Sequence, residues 1–157
     1  MYINKNFINY PLTSDSWGKK KINALNKVVK SRQFTMSKKV RKFEVEFANF
    51  FNCTDSVIVN SGSFANLLMF SLLKNKYKLK SDIIVPAVTW STSYFSINQN
   101  GFKLNFVDVD LDTLNINPEK IEKAIMPKTF PILAINLLSN SCDFIRLKKI
   151  PEYKKFF

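Results

Sequence analysis

The segment Val57-Ile-Val-Asn-Ser-Gly-Ser-Phe-Ala-Asn-Leu-Leu68 carries the most chemistry in this 157-residue chain. A β-branched run enters a Ser61-Gly62-Ser63 turn, and the turn opens straight into an apolar run that reads as a buried helix. The first amides of a helix have no carbonyl one turn back to receive them, and the helix dipole is positive at that end. Gly62 lets a ligand approach the backbone and Ser63 adds a hydroxyl, a combination suited to a phosphate. A plain strand-to-helix turn with serine as its cap fits the same residues. The segment lacks the Gly-Lys-Ser/Thr of a nucleotide P-loop and the further glycines of a dinucleotide fingerprint. Trp90, in Val85-Pro-Ala-Val-Thr-Trp-Ser91, follows a second strand-like run at the edge where open parallel sheets bind ligands. Its indole could stack on a flat ring or fill space between loop and helix. Asp108, Asp110, Asp112 and Glu119 have the acidic spacing of a calcium loop. Thr113 stands where such a loop needs glycine, and a strand precedes it where a helix should.

Composition narrows the chemistry further. There is no histidine, which excludes a Ser-His-Asp triad, a Cys-His pair and a His-ligated metal within this chain. Cys53 and Cys142 form neither a disulfide framework nor a zinc site, so no metal is expected and a reducing cytoplasm is the default compartment. The 24 Lys+Arg against 12 Asp+Glu leave a net charge of +12. That surplus suits an anionic partner, but the lysine clusters at 19–21, 38–42 and 74–80 are interleaved with other residues. They read as solvated helix faces, and nucleic acid is not the expected partner. The runs Leu67–Leu73 and Pro131–Leu138 fall far short of the ~20 residues that span a bilayer. No secretory signal is read at the amino terminus, and no membrane partner is expected.

The elements that must hold these groups follow from periodicity. Residues 1–15 read as irregular. Asp15 or Ser16 could cap a helix whose apolar face is Ile22, Leu25, Val28 and Val29. Val40, Phe43, Phe47, Phe50 and Phe51 place a second helix after Ser37. Four strands are expected near 57–60, 83–86, 103–108 and 131–136, with helices between them, the third opening at Pro118. Strands and helices alternating at ~25-residue spacing predict an α/β fold, a mainly parallel sheet with helices on both faces.

Five motifs in order carry a family resemblance: Phe34-Thr-Met-Ser-Lys-Lys-Val-Arg-Lys-Phe-Glu44, Asn60-Ser-Gly-Ser-Phe-Ala-Asn-Leu67, Val85–Trp90, Phe106–Ile116 and Asn136–Asp143. The series resembles the amino-terminal part of the DegT/StrS family of nucleotide-sugar aminotransferases, pyridoxal phosphate (PLP) enzymes of the aspartate aminotransferase fold. The resemblance implies that residues 1–157 are the amino-terminal portion of a fold type I PLP-transferase large domain, truncated or split. It implies that Gly62, Ser63 and the amide of Phe64 hold the PLP phosphate and that Trp90 stacks on the pyridine ring. The implied partners are a nucleotide-linked keto sugar for surface polysaccharide, glutamate as amino donor, and a second subunit in a homodimer. Some members of the family catalyse 3-dehydration of a 4-keto-6-deoxy sugar instead, and a non-catalytic basic anion-binding module is a third reading.

The departures from the family pattern are specific. Serine or asparagine stands where relatives carry glycine at Ser37, Asn52 and Ser139. Ser141 replaces a proline, and Phe64 replaces a small residue. The acidic partner of the pyridine nitrogen and the Schiff-base lysine have no matching position, so no catalytic residue is assigned and the chain alone is expected to be inactive.

Overall fold

The computed structural model describes residues 14–76, 82–126 and 129–150. The irregular stretch expected at the amino terminus lies, up to residue 13, outside the described residues, as do the last lysines of the 74–80 cluster. The chain divides into two compact units, residues 1–58 and 59–157.

The first unit holds α1 (Lys19–Ser31) and α2 (Lys38–Phe50). The cap expected at Asp15 or Ser16 is at Gly18, whose carbonyl accepts from Lys21 N at 2.9 Å. Asp15 instead closes a turn of its own, its Oδ1 accepting from Trp17 N at 2.8 Å. The helical periodicity holds in both segments, yet α1 buries no residue and α2 buries only Ala48. Phe43, Phe47 and Phe51 stack along α2 with ring centroids 5.5 and 4.7 Å apart.

Residues 57–60 form no strand. Val57 is 76% exposed and Ile58 46%. No described strand pairs with them, and Ile58 N donates to Glu44 Oε1 at 3.2 Å. Ser56 Oγ likewise donates to Glu44 O at 2.7 Å. A β-branched run has the right local preference, but a strand exists only through a neighbour that receives its hydrogen bonds.

In the second unit the order is α3 (Gly62–Lys76), β1 (Asp82–Pro86), α4 (Ser91–Gln99), β2 (Leu104–Val107), α5 (Pro118–Ala124), β3 (Thr129–Ile132), a 3-10 turn at Leu137–Ser139, and α6 (Phe144–Leu147). The strands form one parallel sheet in the order β2-β1-β3. β1 is central, and Ile83, Ile84 and Val85 are fully buried. Ile83 and Val85 pack on one face with Phe70 of α3 and Ile97 of α4. Ile84 packs on the other with Val107, Ile121 of α5 and Leu147 of α6. Helices therefore cover both faces, as the apolar strands predicted. β3 ends four residues earlier than expected. Leu133 N donates to Ile84 O at 2.8 Å, but Pro131, two residues before it, has no N–H to give. The β1–β3 register is irregular between Asp82 and Ile84.

Beyond β2, a tight hairpin closes on an isolated antiparallel bridge between Val109 and Ile116. Asn117 then caps α5, its side chain accepting from Glu119 N at 2.9 Å and Lys120 N at 3.2 Å, with Pro118 in the first turn.

Candidate functional site

Ser61 starts the site. Its hydroxyl accepts from Phe64 N at 3.2 Å and its carbonyl from Ala65 N at 3.0 Å, which makes it the N-cap of α3. The Phe64 amide assigned to a phosphate from the sequence is thus already engaged by the Ser61 hydroxyl. Gly62 and Ser63, as the first residues of α3, have amides that no carbonyl one turn back can receive. A methyl placed on Gly62 would meet nothing within 4 Å, so the backbone there is open to approach.

Trp90 is the N-cap residue of α4 and is 75% exposed. Ser96 of α4 and Asn100, the C-cap residue of that helix, tie it to α3. The buried Ser96 Oγ donates to Ser63 O at 3.3 Å as well as to Thr92 O at 3.0 Å. One turn on, Asn100 Nδ2 donates to Leu67 O at 3.2 Å. The contacts advance by four residues in the same direction on both helices, so α3 and α4 run parallel. Their N-termini accordingly face the same way. α4 leaves the carboxyl end of β1, so Gly62, Ser63, Phe64 and Trp90 share that edge of the sheet.

Sequence reasoning missed two groups at this edge. Tyr94, in the first turn of α4, donates its hydroxyl to Pro86 O at 2.6 Å and meets Phe106 edge-on with centroids 5.2 Å apart. Burial pushes its phenol above the usual range, partly offset by the Thr89 backbone. The second group is an asparagine network under the loop after β3. Asn115 donates through Nδ2 to Asn140 O at 3.1 Å and accepts through Oδ1 from Leu137 N at 3.2 Å. Asn140 Nδ2 returns to Thr113 O at 3.1 Å, and Asn136 Oδ1 accepts from Cys142 N at 2.9 Å. This network holds Leu138 and Ser139 at positive φ, 49° and 68°. Cys142 is buried beneath it with Sγ donating to Ile135 O at 3.1 Å; burial pushes its thiol up.

Of the three glycine replacements, Asn52 (φ 53°) and Ser139 do take left-handed backbone. Ser37 does not. It sits at φ −86° and caps α2 by accepting from Lys39 N at 3.2 Å, while Met36 before it takes the positive φ of 43°. Two of the four carboxylates with calcium-loop spacing are committed to ion pairs, and Asp110 Oδ1 accepts from Asp112 N at 3.0 Å. Asp108 pairs with Lys120 Nζ at 2.7 Å and Glu119 with Arg146 Nη2 at 2.8 Å. Hydrogen bonds from Lys120 and Arg146 hold these carboxyls below their usual range. No helix among the described residues is long and apolar enough to cross a membrane.

Comparison with known proteins gives a consistent set of matches. The model of the DegT/DnrJ/EryC1/StrS aminotransferase family matches residues 15–156. The GDP-4-keto-6-deoxy-D-mannose 3-dehydratase of Yersinia pseudotuberculosis is 46% identical over 157 residues, 98% of this chain and 40% of the relative. The dTDP-3-amino-3,6-dideoxy-alpha-D-galactopyranose transaminase of Aneurinibacillus thermoaerophilus is 30% identical over 82% of this chain and 35% of its own. Among solved structures, the E. coli GDP-4-keto-6-deoxy-D-mannose 3-dehydratase with bound hydrated PLP superimposes with a TM-score of 0.83 at 42% identity. That match covers 90% of this chain and 38% of the other. The chain thus spans about two fifths of the length of these dehydratases.

Proposed function

The chain belongs to the DegT/DnrJ/EryC1/StrS aminotransferase family, and on that premise we propose that it forms the phosphate-holding portion of a PLP-dependent enzyme that removes the 3-hydroxyl of a GDP-linked 4-keto-6-deoxy sugar. One observation carries the choice of reaction: 46% identity to a 3-dehydratase over 98% of the chain, against 30% to a transaminase. Transamination, the first expectation from the sequence, takes second place, and a purely anion-binding module is set aside by the family match. Glutamate as amino donor, surface polysaccharide as destination and a homodimer belong to the same proposal.

The residues present fit the phosphate of such a cofactor. Gly62 and Ser63 offer two unreceived amides and one hydroxyl at the positive end of a fifteen-residue helix. The space a Cβ would fill at Gly62 is open. Ser61 keeps the Phe64 amide oriented, so the Phe64 contact with phosphate is shared with the cap. The exposed indole of Trp90, on the same edge, offers a flat apolar face to a ring. When bound, PLP supplies an electron sink for bonds next to the sugar's keto carbon. This chain's own part is to bind and orient that group, since none of its residues is assigned to proton transfer.

The test uses chimeras. Residues 1–150 joined to the carboxyl-terminal remainder of the Yersinia dehydratase should release the 3-hydroxyl of GDP-4-keto-6-deoxymannose, followed by mass spectrometry. The same residues joined to the remainder of the Aneurinibacillus transaminase should give no aminated sugar. An active transaminase chimera beside an inactive dehydratase chimera would reverse the assignment. The chain by itself, given PLP and glutamate, should form no 2-oxoglutarate.

A further inference from the structure

The peptide unit between Ser63 and Phe64 is held at both ends by side chains. Its N–H, on Phe64, donates to Ser61 Oγ at 3.2 Å, and its C=O, on Ser63, accepts from the Ser96 hydroxyl at 3.3 Å. A peptide unit is planar, so the two grips fix the plane that directly follows the open Gly62 and Ser63 amides. Ser61 belongs to the same turn. Ser96 lies 33 residues beyond Ser63, buried in the second turn of α4, the helix that begins at Trp90. A helical serine often returns its proton to the carbonyl four residues back, and Ser96 does so to Thr92 O at 3.0 Å. The reach to Ser63 is additional, and it is repeated one turn on. Asn100 donates through Nδ2 to Leu67 O at 3.2 Å and to Ser96 O at 2.9 Å, while Lys74 Nζ, near the far end of α3, donates to Asn100 O. The start of α4 is fastened to β1 by the Tyr94 hydroxyl on Pro86 O.

Of these ties between the two helices, the one from Ser96 alone ends on a residue of the phosphate cradle. We infer that Ser96 is a positioning residue: without touching the cofactor, it sets the spacing between the start of α3 and Trp90, so that the two ends of one molecule are held together. This role rests on the PLP reading given above and adds to it a buried residue of α4. A ligand whose phosphate and ring are both held gains over its separate halves by the effective concentration that a fixed spacing provides. That gain falls steeply when the spacing loosens, although each half still finds its own contacts.

The 157-residue chain carrying Trp17→Phe keeps Trp90 as its single indole, and its fluorescence is titrated with pyridoxamine 5'-phosphate and with pyridoxamine. Inorganic phosphate is measured by competition against the first. None of the three probes has an aldehyde to react with surface lysines. The coupling is the product of the two half-ligand dissociation constants divided by that of the whole ligand. Ser96→Ala should lower the coupling about tenfold while each half-ligand constant changes by less than about twofold. Ser96→Thr, which keeps the hydroxyl, should restore it, and Asn100→Ala, one turn further from the cradle, should lower it less. Ile121→Val, on the other face of the sheet, controls for lost stability and should leave the coupling at the parent value. Unchanged coupling in Ser96→Ala would mean that the hydroxyl serves Thr92 alone. That result, a loss that Ile121→Val reproduces, or a loss shared equally by both half-ligands would overturn the positioning role and leave the PLP reading standing. A parent chain that binds none of the probes would overturn both.

Discussion

α1 and β1 were equally plain in the sequence, one by helical spacing and the other by a β-branched run, yet they end in opposite environments. β1 buries Ile83, Ile84 and Val85 completely, while Ile22, Leu25 and Val29 of α1 all remain exposed. An apolar face records that something is to be covered. Whether it is covered depends on partners far along the chain, which β1 has in β2, β3, α3, α4 and α5, and α1 lacks among the described residues.

The sharpest way to break this comparison is to truncate one residue on each side. Ile84→Ala removes a fully buried side chain and should cost about 3–4 kcal/mol in urea unfolding. Leu25→Ala, on a half-exposed face, should cost less than about 1 kcal/mol. Equal losses would mean that the α1 face is covered in solution.

Asn115 comes next in size. Asn115→Ala leaves Leu137 N and Asn140 O without their partners beneath the loop after β3, for a loss of about 2 kcal/mol. Asn115→Asp keeps the acceptor but not the donor and should recover part of it. A neutral Asn115→Ala would show that the loop is held by its backbone alone.

The backbone gives a finer test. Ser139→Gly relieves a left-handed conformation and should stabilise by about 1 kcal/mol, while Asn52→Gly should gain less because asparagine tolerates that region. Ser37→Gly, at φ −86°, removes a cap and should cost a few tenths of a kcal/mol. The family pattern would treat the three sites alike, so opposite signs at Ser139 and Ser37 separate pattern from geometry.

These three positions also show what was legible in the sequence. Serine before an apolar helical run is an N-cap signal in its own right, and Ser37, placed by periodicity just before the second helix, takes that role and not the role of a displaced glycine. The three paired strands, the helices between them and the common edge of Gly62 and Trp90 followed from periodicity and from the strand-helix order. The failure at residues 57–60 was of another kind. Local preference was correct, but pairing is a property of two segments, and no described segment accepts this one. The Asn115–Asn140 contact spans 25 residues, and asparagines carry no periodic signal, so nothing local marked it.

The smallest effect concerns acid. The Asp108 and Glu119 carboxyls lie below their usual range through Lys120 and Arg146. The folded state therefore binds their protons less readily than the unfolded chain does. The pairs contribute fully above the ordinary carboxylate pKa of about 4 and are lost as pH falls through the lowered values. Arg146→Met and Lys120→Met should each flatten the fall in melting temperature between about pH 5 and pH 2. They should leave the buried β1 core unaffected, and a variant as acid-sensitive as the parent would remove these pairs from the account.

The central place of β1 fixes an order in time. Ile83 meets Leu104, 21 residues away, whereas Ile84 meets Ile132 at a distance of 48. Closing the longer loop costs more chain entropy, so the β1–α4–β2 segment assembles first and offers β3 a finished edge. During synthesis the β2 side is ready once residue 107 has emerged. The Ile132 side waits a further 25 residues, and until then the β3 edge of β1 stays unpaired, while the Ile84 face is closed only as α5 and then α6 arrive.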